Sequence, residues 1–144
     1  MEKLIIYTDG ASRGNPGKAS IGVVFCNKDE SVVKEYGQTI GEATNNEAEY
    51  QAVIFALKKA KALFGKEKIK KHEIEIKSDS QLLVSQLSGR YKVLEPKIQN
   101  FFIQIWNLKI DTGGVSFALI PREQNHRADQ LANTALDKEA KTLF

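Results

Sequence analysis

The hydrophobic pattern begins with Leu4-Ile5-Ile6-Tyr7, an apolar run too short for a helix and rich in β-branched and aromatic residues, which reads as a buried strand ending at Thr8. It gives way at Asp9 to a stretch holding Gly10, Gly14, Pro16 and Gly17, which predicts a loop. A second run near Ala19–Asn27, a turn at Lys28-Asp29-Glu30 and a third run near Ser31–Ile40 follow. Connections this short predict a three-stranded antiparallel meander.

The period then changes to that of a helix. Ala48, Ala52, Val53, Ala56, Leu57, Ala60 and Leu63 recur at helical spacing between Glu47 and Phe64. Thr44-Asn45-Asn46-Glu47 has the form of a capping box, and Gly65 marks the expected end. Ile74 and Ile76 alternate with charged residues in a fourth strand, Glu73–Ser78, after which Asp79-Ser80 opens a short helix with Leu83, Val84 and Leu87. Pro96 stands near the start of a further helix with Ile98, Phe101, Phe102, Ile105 and Leu108 on one face, and Phe101, Phe102 and Trp106 read as packing residues. Gly113-Gly114 introduces a fifth strand, Val115–Ile120, and Pro121 breaks it. Asn125 is the expected N-cap of a last helix carrying Ala128, Leu131, Ala132, Ala135 and Leu136. The order β-β-β-α-β-α-α-β-α predicts an α/β fold, a mixed five-stranded sheet with helices on its faces.

Composition narrows the picture only modestly. A chain of 144 residues, 42% hydrophobic and 27% charged, fits a single domain over residues 1–144. No apolar stretch approaches the ~20 residues of a membrane span, and the N-terminus lacks a signal-peptide layout, so the expectation is a cytoplasmic protein away from membranes. A lone cysteine, Cys26, excludes an internal disulfide and multi-cysteine zinc sites. The net charge of +3 permits a polyanionic partner without requiring one. Lys58, Lys59, Lys61, Lys66, Lys68, Lys70 and Lys71 form a basic cluster, but the helix from Thr44 to Phe64 is ~30 Å long and Glu49 lies at its opposite end, so a solvated helix end and loop is the expected role.

Four acids break these patterns. Asp9 and Asp79 each end a strand, the position at which open α/β sheets bind ligands. Glu49 shares a helix face with Val53, Ala56 and Ala60, and Asp129 shares one with Ala132 and Leu136. Carboxylates on core-facing stripes are costly unless partnered. Two partners fit: a shared Mg²⁺ or Mn²⁺ site, which favours carboxylate oxygens, or salt bridges to Arg13, Arg122 or Arg127.

Thr8-Asp9-Gly10-Ala11-Ser12, Gly14-Asn15-Pro16-Gly17, Thr44-Asn45-Asn46-Glu47-Ala48-Glu49, Ser78-Asp79-Ser80-Gln81 and Asn125-His126-Arg127-Ala128-Asp129-Gln130-Leu131-Ala132 together resemble type 1 ribonuclease H from Leu4 to about Leu136. The resemblance implies the ribonuclease H-like fold, a three-stranded antiparallel meander plus two parallel strands. It also implies an endonuclease that hydrolyses the RNA strand of RNA–DNA hybrids with two Mg²⁺ ions, Mn²⁺ being able to substitute, and that leaves 5′-phosphate and 3′-hydroxyl ends. Asp9, Glu49, Asp79 and Asp129 would be the metal-binding catalytic acids, with Asp9 bridging both ions. Two ions ~3.5–4 Å apart can activate water and stabilise the departing 3′ oxygen. Ser12, Gly14, Asn15, Asn46 and Gln81 match positions that contact the RNA strand, and Thr44 and Asn45 match positions beside the DNA strand. Recognition of 2′-hydroxyls in a wide minor groove carries little base information, so little sequence specificity is expected.

Two departures stand out. The basic, tryptophan-bearing protrusion of many members is absent, since only Ser88–Leu94 separates two helices; Arg90, Tyr91 and Lys92 could stand in, and a solvated loop is the alternative. Without the protrusion, hybrid binding should be weaker and more salt-sensitive, with double-stranded RNA a candidate second substrate. The loop histidine found about ten residues before the last aspartate is replaced by Leu119; Glu123, Asn125 and His126 are the auxiliary candidates, and His72 is expected to have no role. A non-catalytic hybrid-binding module is the alternative function, and a domain excised from a reverse transcriptase the alternative to a free-standing monomer. Met1 and the complete set of elements favour the free-standing form.

Overall fold

The computed structural model describes residues 2–142. Strands β1 (Glu2–Gly14), β2 (Gly17–Asn27) and β3 (Val32–Ala43) form the antiparallel meander, followed by α1 (Asn45–Ile69), β4 (His72–Ser78), α2 (Gln81–Leu87), α3 (Pro96–Ile110), β5 (Val115–Leu119) and α4 (His126–Thr142). The sheet order is β3-β2-β1-β4-β5, with β1 antiparallel to β2 and parallel to β4, and β4 parallel to β5. β1 is central because both of its faces are apolar. Leu4 and Ile6 join Val23, Phe25, Ile74 and Ile76 in the main core under α1, α2 and α3, whereas Ile5 joins Val24 and Cys26 beneath Ala128 and Leu131 of α4. Cys26 is thus a small core residue.

Several boundaries differ from the sequence reading. β1 does not stop at Thr8: it continues through Asp9 to Gly14, paired with β2 along its length, and the hairpin turns at Asn15 and Pro16, joined by a cis peptide bond. What ends near Tyr7 is the parallel pairing with β4, whose last partners are Tyr7 and Lys77. Asp9 is therefore not at a strand end, as expected, but inside a continuing strand just beyond the point where the pairing with β4 stops. β3 likewise runs on to Ala43. At Gly65 the backbone turns to φ 84°, where glycine is favoured, but helical structure resumes to Ile69, so the glycine kinks α1.

The Thr44 to Glu47 capping box forms with both reciprocal bonds, at 3.1 and 2.8 Å. Asn125 is not a side-chain cap of α4. It ends a 3₁₀ turn, Arg122–Asn125, is 1% exposed, and donates its amide to the Thr8 carbonyl at 2.8 Å. Trp106 is 53% exposed, because α3 meets the core through Ile98 and Ile105, with Phe101, Phe102 and Leu108 packed against it, while Ile103, Trp106 and Ile110 lie on its exposed side. His72 Nδ1 donates to the Lys68 carbonyl at 2.9 Å and the ring lies against that of Phe64, a local structural role.

Candidate active site

Two glycines beside Asp9 bring the helices down to it. Gly22 is its partner across the β1–β2 ladder, and Gly10 follows it in the chain. A Cβ on Gly10 would lie 2.3 Å from the Ala48 carbonyl carbon and from the Glu49 nitrogen. A Cβ on Gly22 would lie 1.9 Å from the Ala128 carbonyl oxygen. Backbone contact this close is open only to glycine, and it seats the first turn of α1 and the first turn of α4 on either side of one residue. Glu49 and Asp129 arrive with those turns. Asp79 arrives from the end of β4, next to β1.

The carboxylates of Asp9, Glu49 and Asp79 converge, each offering an oxygen within 4.8 Å of the others. Asp129 stands outside that tight trio but is near enough to Asp9 to add to the rise in its proton affinity. The Gly10 amide donates to the Glu49 carboxylate in a short contact, and Asn133 donates to Asp129 Oδ1 at 3.1 Å. Burial is the largest influence on Asp9, and the charges of Glu49 and Asp79 and the contact with Asp129 add to it, pushing its pKa up to about 9. Burial also raises Glu49, against the favourable Gly10 amide.

Arginine does not neutralise this cluster. Arg13 pairs with Asp137 at 2.6 Å and Arg127 with Glu35 at 2.7 Å, both away from it. Arg122 approaches Asp79 only at 3.9 Å and is itself 92% exposed. Buried like charges in contact need compensation, and a set of carboxylate oxygens on rigid elements is the donor chemistry of a hard divalent cation.

Ser12, Gly14, Asn15, Thr44, Asn45 and Asn46 lie where the β1–β2 hairpin meets α1. Ser12 donates to the Ala43 carbonyl at 2.7 Å, Asn15 accepts the Asn45 amide at 3.0 Å, and Gly14 takes φ 116° at the turn. Thr44 caps α1, the Asn46 side-chain oxygen is buried without a partner, and Gln81 is exposed at the start of α2. Glu123 and His126 are exposed and hold no ion pair or side-chain hydrogen bond among the described residues. The connector between α2 and α3 carries no protrusion; Gln86 fixes it by donating to the Lys92 carbonyl at 3.1 Å, and Tyr50 in turn donates to Gln86 at 2.8 Å.

Three contributors escaped the sequence reading. Gly10 and Gly22 read as an ordinary turn glycine and a strand glycine, and nothing local reports which backbone will approach them. Lys97 pairs with Glu47 at 2.9 Å across α3 and α1, a contact with no sequence signal.

A family model described as reverse transcriptase-like matches residues 7–135. A ribonuclease HI of Halobacterium salinarum is 45% identical over 131 residues, covering 91% of this chain and 63% of that protein. A bifunctional protein of Mycobacterium tuberculosis is 40% identical over 141 residues, covering 97% of this chain and 37% of its own length. The chain thus spans less than two-thirds of either relative. Among solved structures, an RNase H1 isolated from compost, in complex with RNA/DNA hybrid, superposes with a TM-score of 0.90 at 45% identity, covering 95% of this chain and 99% of that one. Motifs, sheet order and these likenesses agree: the chain belongs to the type 1 ribonuclease H family.

Proposed function

We propose that this protein is an endonuclease that hydrolyses the RNA strand of RNA–DNA hybrids, with little regard for base sequence, leaving 5′-phosphate and 3′-hydroxyl ends. The observation that carries the reading is the convergence of Asp9, Glu49 and Asp79, with Asp129 against Asp9, at a site that no arginine closes. The hybrid bound by the compost relative supports the choice of substrate. We further infer one domain over residues 1–144, acting as a monomer in the cytoplasm; among the described residues no helix is long and apolar enough to cross a membrane.

Asp9, Glu49, Asp79 and Asp129 would hold two Mg²⁺ ions, or Mn²⁺ in their place. Bound there, the ions supply activation of water and stabilisation of the leaving oxygen. The chain's own part is to fix four acids on β1, α1, β4 and α4. Asp9 is central, and the Gly10 amide orients Glu49 toward it. Ser12, Gly14, Asn15, Asn46 and Gln81 would follow the RNA strand, while Thr44 and Asn45 lie toward the DNA strand. The bonds of Ser12 to the Ala43 carbonyl and of the Asn45 amide to Asn15 tie the hairpin to the start of α1, which suits recognition by shape and 2′-hydroxyls. Glu123 and His126 are exposed beside α4 and would assist proton movement only on substrate engagement.

End-labelled hybrid, single-stranded RNA, double-stranded RNA and double-stranded DNA, each with Mg²⁺ and with chelator, test the assignment. Cleavage confined to the RNA strand of the hybrid and abolished by chelator is expected, and weaker cutting of double-stranded RNA is compatible with the missing protrusion. Hybrid that is bound but never cut with either ion would replace the enzyme by a binding module.

A further inference from the structure

The segment between β5 and α4 is fastened at both ends to the residues that precede Asp79 and Asp9. At one end the Ile120 amide donates to the Ser78 carbonyl at 2.9 Å, one residue before Asp79. At the other, the Asn125 side-chain amide donates to the Thr8 carbonyl at 2.8 Å, one residue before Asp9. Asn125 is four residues, about one helical turn, before Asp129. The hydrogen bond therefore sits at the hinge where the chain leaves the sheet and becomes the helix carrying the fourth acid.

Its surroundings are unusual for a purely structural tie. Asn125 and Thr8 are each 1% exposed, yet the Asn125 side-chain oxygen and the Thr8 hydroxyl meet no hydrogen-bonding group of the protein among the described residues. Among the described residues the third such buried atom is Asn46 Oδ1, three residues before Glu49. Unsatisfied buried polar atoms are costly and rare in folded proteins, and all three lie within one helical turn or one residue of an acid of the cluster. An apolar residue of similar size at 125 would avoid part of that cost.

We propose that Asn125 is a positioning residue: by clamping the start of α4 to the strand of Asp9, it sets Asp129 against Asp9 and so sets the affinity of the carboxylate cluster for divalent cations. The inference rests on the carboxylate reading of the site. It differs from it in assigning the placement of the fourth acid to a single side-chain donor. A second tie supplies the control. Ser20 Oγ donates to the Ala132 carbonyl at 2.6 Å, holding α4 to β2 farther along the helix than Asp129.

The test is calorimetric titration of the hybrid-free protein with Mn²⁺, together with hybrid cleavage at varied Mg²⁺, for wild type, Asn125→Ala, Asn125→Leu, Ser20→Ala and Asp9→Asn. Both Asn125 variants should bind Mn²⁺ about 10- to 100-fold more weakly, as expected for loss of a partner that orients metal ligands. Their half-saturating Mg²⁺ should rise in parallel, while KM for hybrid at saturating ion stays within about twofold of wild type, as no contact with substrate is removed. Ser20→Ala, matched by its loss in Tm, should keep wild-type ion affinity. Wild-type Mn²⁺ binding in either folded Asn125 variant, or an equal loss in Ser20→Ala, overturns the positioning role. Mn²⁺ binding that survives Asp9→Asn overturns the carboxylate reading itself, and the two failures are told apart by that variant.

Discussion

Asp9 and Gly22 face one another across β1 and β2, and the absence of a side chain on the glycine is what lets α4 lie close enough to bring Asp129 to the aspartate. A methyl group on Gly22 would meet the Ala128 carbonyl oxygen at 1.9 Å, and one on Gly10 would meet the backbone of Ala48 and Glu49 at 2.3 Å. The obstructing atoms are backbone, so neither clash is relieved by a rotamer change. Gly10→Ala and Gly22→Ala should each cost about 1–3 kcal/mol, as for overpacked interiors, and each should depress cleavage by displacing one helical acid. Gly41→Ala is the useful contrast, as a Cβ there meets nothing within 4 Å and only its φ of 80° is unfavourable. Thermal melts and initial rates on hybrid separate the cases: Gly41→Ala loses stability while its ion dependence stays unchanged.

Removing one charge from the cluster should help the metal-free fold. Asp9 is buried among Glu49, Asp79 and Asp129, so Asp9→Asn deletes repulsion and a desolvated carboxylate together. Cleavage should vanish, with Tm in chelator unchanged or raised. A fall in Tm of several degrees would mean that Asp9 is paired in a way the geometry does not show.

Stability in chelator should fall as pH rises. Asp9 moves from an ordinary 3.8 to about 9 and Glu49 from 4.5 to about 8 on folding, so the folded state binds more protons than the unfolded chain across that interval. Stability from groups whose pKa is raised is fully present below the unfolded value and is lost as pH climbs through the folded one. Denaturant melts in chelator should therefore give a lower midpoint at pH 9 than at pH 5. Mg²⁺ should restore the midpoint most at the alkaline end, and Asp9→Asn should flatten the profile. A midpoint that rises with pH in chelator contradicts the burial assigned to these acids.

Thr44 serves the helix whatever it does for substrate. Thr44→Ala removes the bond to the Glu47 amide and should cost about 1 kcal/mol, while Thr44→Ser retains the cap. If Thr44→Ser restores stability but leaves KM for hybrid raised, the methyl group contacts substrate. If both recover together, the methyl group makes no contact that substrate binding needs.

Much of the frame was legible because period and punctuation are local. The helical spacing from Ala48 to Ala60 placed Glu49 inward, and the alternation around Ile74 and Ile76 placed Asp79 at a strand end. What escaped depends on distant backbone. The glycine-rich stretch after Asp9 reads as loop from its composition, yet β2 pairs with it through Gly14 and converts it to strand. Asn125 reads as a cap because its residue type and position suit one, and only the approach of β1 redirects its amide to Thr8. Trp106 has core spacing relative to Phe102 and Ile98, but α3 is covered on one side only, and the tryptophan lies at its margin. Glu49 and Asp129 stood out by their misfit to the apolar helix faces and Asp9 and Asp79 by their places after apolar runs, whereas Gly10 and Gly22 carry no such mark.

The most direct test of the central claim is cleavage of an end-labelled RNA–DNA hybrid by wild type and by the four single variants Asp9→Asn, Glu49→Gln, Asp79→Asn and Asp129→Asn, in Mg²⁺ and in chelator. Wild type should cut the RNA strand only, with chelator abolishing cutting, and each variant should lose at least about 100-fold in rate while retaining a cooperative melt. Hybrid cleavage that persists in chelator, or in Asp9→Asn with Mg²⁺, would contradict the account.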